Sequence, residues 1–243
     1  MCLRVLAHQS HPRYALILAS NRDEFLDRPA VPAHFWPDSP GILAGRDQQA
    51  RGTWMGISIA GRFAVITNYR DLRNPIKGSR SRGLLVWDKI SGREDDGAHQ
   101  YDGYNLISGE IGALRYQNNI NGAEAALAPG IHGLSNHVLD TPWPKVRRAL
   151  ALFDPILSDH EPSVSDLFEL LKDDKAAPDA DLPDTGLGLE RERALSPIFI
   201  RTPGYGTRVS TVVLVGHDGH VRFEERNHHT GQTVREEFDI AGS

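Results

Sequence analysis

Cys2 is the residue with the most chemistry to offer, and it is the only cysteine in 243 residues. Once Met1 is removed, which a small second residue permits, Cys2 carries a thiol and a free α-amine. That amine has a reference pKa of about 7.7–8.0, so near neutral pH it can take the thiol proton. A nucleophile with its own amine as base is the N-terminal variant of the nucleophile–base pair. An isolated second-position cysteine would carry no such meaning. The weight comes from Asn21-Arg22-Asp23-Glu24, which adds an amide, a guanidinium and two carboxylates. A carboxylate orients an α-ammonium, and a nearby cation favours a thiolate.

The elements that must bring these groups together are readable from pattern. Leu3 to Ala7 and Tyr14 to Ala19 are short apolar runs separated by Ser10-His11-Pro12-Arg13, a hairpin signal. A turn centred between His11 and Pro12 makes pairing partners sum to about 23 by simple counting, with Cys2 opposite Asn21. Side chains alternate along a strand, so Asn21 and Asp23 share one face and Arg22 and Glu24 the other. Only one of those pairs can face Cys2.

A second hairpin, Trp54 to Ile59 with Arg62 to Thr67, delivers Asn68-Tyr69-Arg70 at its end. Leu84 to Ile90 reads as a short helix and Tyr104 to Ser108 as a strand. Val146, Leu150 and Phe153, then Val164, Leu167, Phe168 and Leu171, have the spacing of amphipathic helices. Asp173 to Gly188, rich in Asp, Pro and Gly, reads as an exposed loop. Ile198 to Ile200, Val209 to Val215, Val221 to Glu225 and Val234 to Phe238 read as the strands of a meander. Strands, then helices, then strands again argue for α+β rather than an alternating α/β fold. One domain, 1–243, is expected, with sheets from both ends of the chain packed together.

Asn21-Arg22-Asp23-Glu24 resembles the signature of the NRDE family, the transport and Golgi organization protein two homologues. The resemblance runs along essentially the whole chain. It includes Gly52-Thr53-Trp54-Met55-Gly56, Thr67-Asn68-Tyr69-Arg70, Ser81-Arg82-Gly83 and Tyr104-Asn105-Leu106. It continues through Gly133-Leu134-Ser135-Asn136, the run from Leu139 to Val146, and Tyr205-Gly206-Thr207-Arg208. The resemblance implies a four-layer αββα sandwich of two antiparallel sheets, as in the N-terminal nucleophile hydrolases. It also implies kinship with Cys-type acylases that cleave penicillin V or conjugated bile acids.

By that resemblance Cys2 is the nucleophile and Asp23 holds its amine. Asn136 is the oxyanion-hole amide, Asn68 a second polar member, and Arg208 a late arginine near the thiol. Asn21, Arg22, Glu24, Trp54, Arg70 and Arg82 are the candidate substrate-binding residues. There is one departure: the acylases carry Arg two residues before the Asp, where this chain has Ser20. Arg22 shares that strand parity. The implied reaction is hydrolysis of an amide or ester of a small molecule, with no cofactor and no metal. The alternative is a carrier of haem or of acyl-CoA-like lipids, with Cys2, His8 and His11 as the nearby axial-ligand types.

Other features set limits. Net charge is −5, from 27 basic and 32 acidic residues, and the pI is near 6.1; neither suits a nucleic-acid partner. No apolar run approaches the ~18 residues of a membrane span. The amino-terminal stretch does not read as a signal peptide, and a lone cysteine suits a reducing compartment, so a cytoplasmic location is expected. Arg80 and Arg82, with Lys77, can steer an anionic group. His132 and His137 flank Asn136 in sequence and can line the same cleft. Trp54, Trp87 and Trp143 also have the character of packing residues.

Overall fold

The computed structural model describes residues 2–93 and 97–242; Met1, and with it any removal of Met1, lies outside the described residues. In chain order the elements are β1 (Cys2–His8), β2 (Tyr14–Phe25), β3 (Ala30–Trp36), β4 (Ser39–Asp47), β5 (Met55–Ser58), β6 (Arg62–Asn68) and α1 (Arg82–Ser91). They continue as β7 (Tyr104–Glu110), β8 (Arg115–Asn118), β9 (Glu124–Ala126), β10 (Gly130–Leu134), α2 (Pro144–Leu157), α3 (Val164–Leu171) and α4 (Leu189–Ala194). The last are β11 (Arg201–Thr202), β12 (Tyr205–Gly216), β13 (His220–Asn227) and β14 (Thr233–Asp239).

Two antiparallel sheets result. One runs β10-β1-β2-β12-β13-β14 with β11 beside β12, and the other runs β3 to β9 in chain order. Three apolar clusters define the layers. Leu6, Leu16, Leu18 and Val213 of the first sheet meet Leu43, Ile57, Phe63 and Val65 of the second. On the outer face of the first sheet, Leu3, Val5, Ile17 and Leu214 pack against Val146, Phe153, Leu167 and Phe168 of α2 and α3. On the outer face of the second, Ile42, Ala44, Ala64 and Leu106 pack against Leu85, Val86 and Ile90 of α1. The chain is therefore an α+β, four-layer αββα sandwich. Every residue of β1 is buried, because both faces of that strand are covered. Among the described residues, no helix is long and apolar enough to cross a membrane.

Both expected hairpins form, and the helices and the closing β12–β13–β14 meander lie where pattern placed them. Two expectations need correction. The first hairpin pairs Cys2 with Arg22 and His8 with Leu16, so partners sum to 24 rather than 23. The turn is longer than the Pro-centred one expected: Gln9, at φ 49°, donates its N–H to Ala15 O. Ile198 to Ile200 is not a strand. Its backbone is committed elsewhere, with Phe199 N–H on Asp173 O, Ile200 N–H on Thr207 Oγ1, and Ile198 O accepting from Asn21 Nδ2.

One close approach anchors the wall of the site. A Cβ on Gly52 would sit 2.2 Å from the Gly83 carbonyl carbon, and Thr53 N–H donates to Gly83 O at 3.0 Å. The loop before β5 thus lies directly on the first turn of α1, which Ser81 caps by accepting from Gly83 N–H. Gly52→Ala must push backbone against backbone, and we expect a loss of about 1–3 kcal/mol. A thermal melt checks this; an unchanged midpoint would show that the contact yields freely.

Candidate active site

The pairing of Cys2 with Arg22 decides which groups the thiol meets. Residues directly opposite in an antiparallel ladder share a face, so Cys2 and Arg22 both point between the sheets. There they line a half-open cavity of about 260 Å³. Its wall also includes Asp23, Glu24, Trp54, Asn68 and Arg82. Seven of the eleven residues nominated from sequence are thus brought to one place.

Arg22 is 5% exposed and sits over the Trp54 ring at 4.2 Å. Its Nη2 lies 3.6 Å from Glu24 and 3.4 Å from Asp47, while Nη1 has no hydrogen-bond partner among the described residues. Burial pulls its pKa down, and Glu24, Cys2 and Asp47 pull the other way. Arg82, at the start of α1, donates to Gly103 O at 3.0 Å. Its pKa too is lowered by burial, opposed by Asp102, Cys2 and Glu24. Arg80 lines the cavity as well but is paired with Asp88 at 3.3 Å, whereas Lys77 is exposed and off the cavity.

Asp23 borders the cavity, but alternation turns its carboxylate toward the α2–α3 side of β2. It accepts from Thr207 Oγ1 at 2.6 Å. Two groups lie in its field, the buried Lys145 of α2 and the half-buried Tyr205 of β12. Burial pushes the Tyr205 hydroxyl far up, and Asp23 and Cys2 add to the effect.

The remaining nominated residues lie outside the cavity. Asn21, expected beside the thiol, faces the helices: Nδ2 donates to Leu171 O and Ile198 O, both at 2.9 Å, and Oδ1 accepts from Ser210. The register explains this, since the pair facing Cys2 is Arg22 and Glu24. Arg70 is buried against Glu192 at 2.8 Å and over the Trp143 ring at 4.8 Å. Arg208 occupies a bulge in the β12–β2 ladder and donates to the carbonyls of Phe25 and Arg28. Asn136 is fully buried. Its Nδ2 donates to Asn68 O at 3.0 Å and its carbonyl accepts Arg70 N–H at 2.8 Å, while the neighbouring Ser135 Oγ donates to Cys2 O at 3.0 Å.

The histidines serve other contacts. His132 pairs with Asp140 at 2.8 Å, and His137 bonds Thr141 and packs on Trp143. Of Cys2, His8 and His11, only Cys2 lines the cavity. Trp87 stacks under Arg93, away from the site.

Sequence reasoning missed three groups. Arg4, fully buried one step below Cys2 on the same face, is held by the carbonyls of Leu3, Asn21 and Ile66. Asp47 bridges Arg22 and Arg28. Lys145 is buried in the first turn of α2, which packs on β1 and β10. The parity of Arg4 with Cys2 was the available signal for the first; nothing in the local sequence marked the other two.

Two inward-facing sheets between helical layers, with a cysteine on the strand beside the cavity, define the class: a four-layer αββα sandwich. Consistent with that fold, the structure is similar to a mutant of the conjugated bile acid hydrolase from Clostridium perfringens, with a TM-score of 0.50 and 8% sequence identity, covering 100% of this chain and 93% of that one. The sequence model for Transport and Golgi organisation 2 matches residues 1–230. Transport and Golgi organization protein 2 homologs of Bos taurus and Homo sapiens are each 36% identical, covering 88% of this chain and 87% of theirs. The chain belongs to the Transport and Golgi organisation 2 family.

Proposed function

We propose that this protein is an N-terminal cysteine hydrolase of small-molecule amides or esters. The observation that carries the reading is the Cys2 thiol on the cavity wall, opposite the buried guanidinium of Arg22, with Asp23 next along β2. The similarity in fold to a conjugated bile acid hydrolase supports it without fixing the substrate.

In this mechanism Met1 is absent and the α-amine of Cys2 takes the thiol proton. The thiolate attacks the substrate carbonyl carbon, forming a C–S bond while the carbonyl electron pair moves to oxygen. Collapse expels the amine or alcohol, which receives the proton from the α-ammonium. Water, deprotonated by the same amine, then cleaves the thioester and restores the thiol. In this scheme Asn68, which lines the cavity, donates to the oxyanion. Asn136 fixes the Asn68 backbone from behind, so it is a positioning residue in this scheme. A volume of about 260 Å³ lies just below the ~300–1,000 Å³ usual for ligand sites, so the cavity takes the reacting end of a substrate.

The test is intact mass before and after brief iodoacetamide treatment, followed by an amide and ester screen. The expected result is a mass lacking Met1 and rapid single alkylation that Asp23→Ala slows. Retained Met1 with a slow thiol would overturn the mechanism and turn attention to haem and acyl-CoA titration.

A further inference from the structure

Lys145 is the second residue of α2 and only 4% exposed, and its Nζ has no hydrogen-bond partner among the described residues. Elementary physics disfavours that placement. An ammonium taken from water without hydrogen bonds is costly. The first turn of a helix is the positive end of its dipole and repels a cation. A lysine usually avoids burial by extending its head group to solvent, and this one does not.

The groups that act on it come from each neighbouring element: Asp23 of β2, Cys2 of β1, Arg70 after β6 and Glu192 of α4. Tyr205 of β12 faces the same Asp23 and Cys2. Glu192 is already engaged by Arg70 at 2.8 Å and by Thr185, whose N–H donates at 3.0 Å. Asp23 contributes most to keeping Lys145 charged, with Cys2 also favouring the ammonium and Arg70 opposing it. Burial outweighs them and brings Lys145 down to about 8, close to the range in which an α-amine titrates.

We propose that Lys145 is a positioning residue for Cys2: its buried ammonium, at the start of α2 on the helix-covered side of the first sheet, stabilises the thiolate from the side opposite the cavity. Lys145 does not line the cavity, so it acts through Asp23 and the thiol and not on substrate. The inference rests on Cys2 being the nucleophile. It adds a cation that neither the amine nor Arg22 supplies, and one that switches off as its own proton leaves.

The experiment is the rate of Cys2 alkylation by iodoacetamide as a function of pH, in the processed wild-type chain and in Lys145→Met and Lys145→Arg. Lys145→Met should move the midpoint up by about one pH unit, about tenfold in rate on the acid side, with the alkaline plateau unchanged or slightly raised. Lys145→Arg, which keeps the charge, should retain the wild-type midpoint. A purely structural lysine would scale the whole curve without moving it.

A wild-type midpoint near the ordinary thiol value of about 8.5 would overturn the nucleophile and this inference together. A low wild-type midpoint unchanged by Lys145→Met would overturn this inference alone. Should Lys145→Met fail to fold, the coupling can be read in the wild type, because it is reciprocal. Alkylating Cys2 should lower the titration of the Lys145 ¹³Cε resonance by about one pH unit, and an unmoved titration would overturn the proposal.

Discussion

Asp47→Ala should lose about 3–5 kcal/mol of stability, among the largest effects of any single substitution in this chain. The Asp47 carboxylate accepts from Arg28 Nε at 2.6 Å and lies 3.4 Å from Arg22 Nη2. It also receives the N–H groups of Gln49 and Ala50 at 3.0 and 2.7 Å. Its removal strips Arg22, 5% exposed, of one of its two carboxylate neighbours and opens the turn after β4. Burial alone would raise the Asp47 carboxyl, but the bonds from Arg28 and Ala50 and the charge of Arg22 hold it below the usual range.

The sign of the pH dependence follows from that. A carboxyl depressed on folding contributes fully above its unfolded value of about 3.9, and the contribution fades as pH falls through the folded value. Urea melts at neutral pH and near pH 3 should therefore show the gap between wild type and Asp47→Ala narrowing in acid. A gap of the same size at both would contradict the assignment.

Glu225→Gln should do the reverse and stabilise the fold, by up to about 3 kcal/mol at pH 8. Glu225 lies in β13, 1% exposed. Burial pushes its carboxyl up to about 7 against the pull of the Ala33 N–H, Arg22 and Thr211. Below about pH 4 it is protonated in both folded and unfolded chains and costs nothing. Between there and pH 7 only the unfolded chain ionises, so stability falls as pH rises; above pH 7 the full penalty persists. A glutamine keeps the oxygen that accepts from Ala33 N–H, which Glu225 does at 2.7 Å, and removes the charge. The melting temperature should rise by roughly 6–12 °C at pH 8 and stay put near pH 4. An equal rise at both values would mean the effect is packing and not ionisation.

What the sequence disclosed divides along a physical line. Composition, apolar periodicity and turn residues are local, and they sufficed for β1, β2, β5, β6, α1 to α3 and the closing meander. The polar residues at strand ends were likewise visible as a group, and Cys2, Arg22, Asp23, Glu24, Trp54, Asn68 and Arg82 do meet at one cavity. Which face each presents was not visible. A strand repeats every two residues, so one residue of turn length exchanges the faces: a sum of 23 would have put Asn21 beside the thiol, and the observed sum of 24 puts Arg22 there.

Long-range docking was hidden for the same reason. Arg70 lies two residues from Asn68 and Asn136 stands in a motif of its own, yet their partners are Glu192 and the Asn68 backbone, reached only after the layers close. Lys145 reads as an ordinary first-turn lysine until α2 packs on β1. The β3–β4 hairpin escaped notice because Pro32, His34, Pro37 and Pro40 break its pattern, although Trp36 is almost fully buried there.

The opposite faces of β2 have a practical consequence for chemical probes. Arg22 and the cavity lie on one side of the strand, Lys145 and the Asp23 carboxylate on the other. A panel of thiol-directed reagents that differ only in what they place against Trp54, Asn68 and Arg82 meets one unchanged warhead environment. Their ranking then reports shape and charge fit alone. Intrinsic thiol reactivity can be dialled separately by substitutions behind the strand, so potency and selectivity become two independent axes of optimisation.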